Sequence, residues 1–228
     1  MKETKEDCMR VNGLNVVSSK DLPCGNCGTC CNAYGLVDLH VTDLFRISEY
    51  LSISPEEFFG RYCIIINDQD GNTAFSMNIN GGCVFRANDR CSIYPVRSDT
   101  CALYPFNYVC ANLSTKIKKE IACYPQCFVH SLDENMLVVP NIERMIDSRI
   151  LFMVREMYLA TFDGRFDEAE AKPFHLKGLS LLKDARMREM VYRKMMTEMM
   201  KIIPMKDDTA EPVLSETEIR TICDQFRT

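Results

Sequence analysis

Nine cysteines fall at spacings that suit metal ligation. The segment Pro23-Cys24-Gly25-Asn26-Cys27-Gly28-Thr29-Cys30-Cys31 sets three of them at three-residue steps and adds a fourth directly after the third. Cys-x2-Cys-x2-Cys is the spacing by which one loop holds three corners of a four-iron cubane, with backbone N–H groups left to donate to the sulfurs. Glycines between the ligands free the chain to turn. A single zinc ion more often takes two cysteines from one knuckle and two from another. By itself, then, the loop favours iron–sulfur. Cys31 is foreign to the ferredoxin pattern, however, and two adjacent cysteines do not easily face one ion, which points Cys31 toward a neighbouring metal. Further along come Cys83, Cys91, Cys101, Cys123 and Cys127. Nine candidate ligands exceed the four that one tetrahedral zinc or one cubane uses. Two mononuclear sites, a cluster plus a separate metal, and a polynuclear centre all remain open.

Disulfides are the competing use of so much sulfur. Of 13 cysteines, only Cys223 lies beyond residue 127, and disulfide scaffolds rarely bunch this way. Met1 to Lys20 lacks the apolar stretch of a signal peptide, so a cytoplasmic, reducing setting is expected, where clustered thiols favour metal. Cys8, Cys63, Cys110 and Cys223 read as free thiols, Cys63 at the start of an apolar strand. His130 closes Cys123-x3-Cys127-x2-His130, which misses the third cysteine of the radical S-adenosylmethionine signature; His40 and His175 stand alone. A net charge of -5 argues against a nucleic-acid partner. No apolar run reaches the roughly 20 residues of a membrane helix, so membrane insertion is not expected.

Cys24-x2-Cys27-x2-Cys30-Cys31, followed by Cys83-x-Phe85, Cys91-Ser92-Ile93-Tyr94, Arg97, Cys101 and Tyr104-Pro105-Phe106, resembles the YkgJ-type cysteine-cluster family. Its members are described as zinc- or iron-chelating proteins, and the resemblance covers roughly residues 21–130. Two departures stand out: Arg97-Ser98 replaces the family's usual Arg-Pro, and Ala102 follows Cys101 where a basic residue is usual. The thiolates are untouched by either change. Tyr94, Tyr104, Phe85 and Phe106 flank ligands and would exclude water, while Arg97 is expected to donate to a thiolate.

The elements that must position these cysteines read as α+β. Three regions differ in composition: an N-terminal arm (1–20), a cysteine-cluster metal-binding domain (21–130) with short helices and a β-hairpin, and a helical C-terminal region (131–228) packing on it. Val41 to Leu51 patterns as a helix with Thr42 as N-cap and Leu44, Ile47 and Leu51 on one face. Ser54-Pro55-Glu56-Glu57 supplies an N-cap, a proline at the first helical position and a glutamate for a capping box. Cys63 to Ile66 and Thr73 to Ile79 form a hairpin about Asp70-Gly71. Ile142, Met145, Ile146, Ile150, Met153, Val154 and Met157 make an apolar stripe that Gly164 stops. A longer helix is expected from about Leu176 to Ile203, before Pro204, and Ser215-Glu216-Thr217-Glu218 opens a last one.

The expected function is metal binding through cysteine, with an iron–sulfur cluster or iron preferred for electron transfer, metal handling or sensing. Zinc is the alternative, in an adaptor that binds a protein through its Met-rich helices, where Met187, Met190, Met195, Met196, Met199, Met200 and Met205 crowd together. A similar cysteine cluster occurs in flagellin lysine N-methylases, which makes a protein-modifying enzyme the third candidate. The chain carries no Gly-x-Gly-x-x-Gly turn and no evident nucleophile–base pair, so no catalytic residue is assigned.

Overall fold

A computed structural model describes residues 10–22, 24–28, 30–31, 36–67, 73–78, 82–88, 90–106, 136–200 and 214–227. In chain order the strands and helices are β1 (Arg10–Val11), β2 (Leu14–Ser18), β3 (Leu36–Asp38), α1 (Val41–Leu51), α2 (Pro55–Tyr62), β4 (Cys63–Asn67), β5 (Thr73–Asn78), β6 (Arg86–Ala87) and β7 (Arg90–Cys91). They continue with α3 (Asp99–Leu103), β8 (Met136–Val139), α4 (Ile142–Leu159), α5 (Glu168–Leu182), α6 (Ala185–Met200) and α7 (Glu216–Gln225). Small sheets beside helices make the class α+β, and the C-terminal region is helical.

The chain divides into two compact units that interleave along the sequence: 1–27, 105–145 and 193–228 form one, and 28–104 with 146–192 form the other. In the first, the segment expected as an arm is paired. Asn12 and Gly13, both at positive φ, turn β1 back on β2, and β2 is the centre of a three-stranded sheet, antiparallel to β1 and parallel to β8. Helix α7 opens on Ser215 and Glu218 in a reciprocal capping box, as its sequence predicts, and buries Ile219, Ile222 and Cys223.

In the second unit, β3, β5 and β4 form an antiparallel sheet in that order; the β4–β5 hairpin pairs Cys63 with Met77, while the Asp70-Gly71 turn lies outside the described residues. Val37, Leu39, Leu44, Ile47, Phe58 and Phe75 build its core. Helix α2 begins as expected, Ser54 Oγ accepting from the N–H of Glu57 at 3.1 Å. Helix α1 keeps its predicted bounds, but its N-cap is His40: the His40 N–H donates to Asp43 Oδ2 at 3.0 Å, and Thr42 is already inside the helix and buried.

Three further expectations are corrected. Along α4 the buried line runs Ile142, Ile146, Ile150, Val154, Tyr158 in steps of four. Met153 and Met157 fall beside that line and are exposed. The helix ends at Leu159, five residues before Gly164, because the N–H groups of Ala160, Thr161 and Phe162 fold back onto the last turn; Gly164 serves the bend beyond with φ +99. The expected 176–203 helix is two helices. The first starts early on an Asp167 N-cap, and the chain breaks before Ala185, where Asp184 Oδ1 accepts from the N–H groups of Arg186 and Met187. An aspartate cap without glycine or proline gave little warning of that break.

Candidate metal centre

The Cys83 and Cys91 segments of the second unit are each anchored by an apolar neighbour. Cys83 lies two residues before Phe85 and Cys91 two before Ile93; Phe85 and Ile93 are buried in the core, with Cys83 and Cys91 packed against it. Phe85 in turn meets Tyr62 and Phe58, at centroid distances of 4.9 and 6.3 Å. Strands β6 and β7 pair Arg86 with Cys91, the Arg86 N–H donates to the Cys83 carbonyl at 3.0 Å, and the Ser92 N–H donates to Phe85 O at 2.8 Å. The Cys83 N–H donates to the Cys31 carbonyl at 2.9 Å, which ties the first cysteine segment to the second. Cys101 rides on α3, whose N-cap Ser98 accepts from the Cys101 N–H at 3.3 Å. That helix is held at its start by Thr100 Oγ1 donating to Asp38 O, and by Arg46 donating to the Arg97 carbonyl.

These ties bring Cys31, Cys83, Cys91 and Cys101 into one electrostatic neighbourhood. Burial pushes the Cys101 thiol up to about 12, and the charges of Cys83, Cys31 and Cys91 add to the rise against a hydrogen bond from Ser98. Cys101 leaves part of its surface open to solvent even so. Cys83 is raised as well, first by burial and then by Cys31 and Cys91. Cys31 moves the other way, down to about 6: a hydrogen bond from the Cys30 thiol contributes most, and the Arg86 guanidinium adds charge and a hydrogen bond, over opposing burial.

The adjacent thiols are neighbours, Cys30 hydrogen-bonding Cys31. The Arg86 guanidinium reaches the Cys31 thiol; sequence analysis did not single it out, although it stands between Cys83 and Cys91. Arg97 lies over the Tyr94 ring, 3.6 Å from its centroid.

The other candidates are distributed as follows. Cys24 is exposed and Cys27 half-buried, both in the first unit on a loop where Asn26 takes φ 53. Cys123, Cys127, His130, Cys8 and Cys110 lie outside the described residues. Cys63 is half-buried on β4, its thiol pushed up to about 12 by burial, and Cys223 is fully buried on α7, so both pack as apolar groups. His40 is buried with Nε2 3.1 Å from Ser148 Oγ, and His175 stacks on Phe45. Met195, Met196 and Met199 are buried, which removes them from the expected partner surface and places them in the core. Phe106 is buried.

Among the described residues no three Cys, His, Asp or Glu side chains stand close enough to hold a metal ion together. The donor chemistry nevertheless fits a thiophilic ion: four thiols share one neighbourhood, with a fixed cation against one of them. Residues 23–127 match the model of the CxxCxxCC family, described as "Putative zinc- or iron-chelating domain". That stretch is similar to the CxxCxxCC domain. All nine candidate ligands fall within or at the end of that match, from Cys24 to Cys127. No curated protein and no solved structure gives a significant match to the chain. No helix among the described residues is long and apolar enough to cross a membrane.

Proposed function

We propose that residues 21–130 act as a metal-binding domain whose ion or cluster is held by thiolates of Cys31, Cys83, Cys91 and Cys101, with Cys24, Cys27, Cys30, Cys123 and Cys127 as the remaining ligands. The observation that carries this is the grouping of four thiols from three separate segments in the second unit. Thiolates would supply soft, anionic donors, and the metal would supply the cross-link between segments, together with redox chemistry where it is iron. Iron or an iron–sulfur cluster is preferred, because one loop offering three cysteines at three-residue steps suits a cubane better than a zinc knuckle. Electron transfer, metal handling and sensing are the roles such a centre serves.

A zinc-stabilised adaptor is the second reading. It is favoured by exposed apolar residues on α4, where Phe152, Met153 and Met157 are at least a third open. A partner surface on this chain would use such exposed groups, among them Met190 on α6, and not the buried Met195, Met196 and Met199. Oxygen-free purification with elemental analysis separates the two readings. Iron, acid-labile sulfide and broad visible absorption support the first; a colourless protein holding zinc supports the second, and a protein that holds neither metal contradicts both.

A further inference from the structure

Arg86 touches three of the four thiol-bearing residues. Its N–H donates to the Cys83 carbonyl at 3.0 Å, and its residue pairs with Cys91 across β6 and β7. Its guanidinium hydrogen-bonds Cys31. The same guanidinium lies against the backbone of Gly28, in the space that a Cβ at that position would occupy. Gly28 takes φ +75, a backbone conformation that L side chains rarely adopt. Glycine is thus required twice over: for the turn, and to leave room for a planar cation. Lysine would not replace that cation faithfully, because a guanidinium presents rigid, directed donors and an ammonium a single point charge.

We propose that Arg86, seated on Gly28, is the positioning residue of the thiol centre: it holds the Gly28–Cys31 segment against Cys83 and Cys91 and supplies a permanent positive charge beside the ligands. The inference rests on the metal-binding reading above. Four thiolates around a divalent ion carry net negative charge, and a fixed guanidinium offsets part of it, as hydrogen-bonded partners of metal ligands do elsewhere. The role is also local. Arg86 and Gly28 orient the segment without themselves binding metal.

Cobalt(II) titration of the full chain under reducing, oxygen-free conditions tests this, read by the thiolate-to-cobalt charge-transfer band. Arg86→Met is expected to lower cobalt affinity about 10–100-fold, the range for losing a partner of a metal ligand. Arg86→Lys should recover part of that loss. Gly28→Ala, which leaves every cysteine and Arg86 in the chain, should reproduce the Arg86→Met loss. In the cobalt-saturated protein, both Arg86→Met and Gly28→Ala should speed hydrogen exchange at the Cys83 amide while α1 amides keep their protection, a readout that also shows the variants remain folded.

Wild-type affinity and spectrum in Arg86→Met would overturn the role of Arg86 while leaving metal binding standing. A wild-type chain that binds no cobalt would overturn the metal reading itself. Unchanged Cys83 exchange in both variants would overturn the seating of Arg86 on Gly28, whatever the metal does.

Discussion

Cys31, Cys83 and Cys101 differ in the state they hold before metal arrives. Cys31, lowered to about 6, is a thiolate at neutral pH, whereas burial and neighbouring charge keep Cys83 and Cys101 protonated. A cation entering among them must expel the protons of the raised pair, so affinity rises with pH and falls as the solution is acidified. Calorimetry in two buffers of different ionisation enthalpy should register at least two protons released per metal bound, and pH-independent affinity would contradict the assignment. Substitutions separate ligands from packed thiols. Cys101→Ser is expected to lose bound metal, while Cys63→Ala keeps its metal content and costs about 1 kcal/mol of stability, read by denaturant unfolding. The cysteine spacing singled out the four thiols, Cys31, Cys83, Cys91 and Cys101, that influence one another in the fold. It gave no sign of Arg86, which reaches Cys31 only through a fold that no local pattern encodes.

At the scale of elements, the thiols depend on short structures with few bonds of their own. Helix α3 spans Asp99–Leu103, too short to persist without its cap and its ties to Asp38 and Arg46. Ser98→Ala removes the cap, and a loss of about 1 kcal/mol in the loaded protein, with faster release of metal to a chelator, is expected. Helix α5 approaches closely at Gly178, where an added Cβ would meet Thr42 Oγ1 at 3.0 Å and Leu151 Cδ2 at 3.1 Å. Gly178→Leu should therefore destabilise by about 1–3 kcal/mol through overpacking, measurable as a shifted denaturant midpoint. Capping chemistry was the most legible feature of these elements. Ser54 and Ser215 open α2 and α7 as their neighbours dictate. The misses arose where one signal outweighed another: His40 capped α1 because Asp43 reached back to its N–H, and Met153 and Met157 lost their place in the core because burial followed steps of four along α4.

The whole molecule is two units threaded through one another in sequence, and that was not legible. Composition separates 21–130 from 131–228, but β2 pairs in parallel with β8 from the far side of the cysteine region, and such distant pairing leaves no local trace. Thiolate–metal bonds would be the strongest links among the segments they join. Structural zinc supplies on the order of 10–16 kcal/mol of binding free energy, as much as the whole stability of an ordinary domain. Stripping the metal with a chelator should therefore abolish cooperative unfolding of the 21–130 region, and a sharp transition that survives the chelator would contradict this. The most direct test is the metal content of the chain after oxygen-free purification, compared with a variant in which Cys31, Cys83, Cys91 and Cys101 are all serine. The native chain is predicted to hold iron or zinc and the variant to lose it. A native chain free of both metals, or a variant that keeps the native content, would contradict the thiol centre.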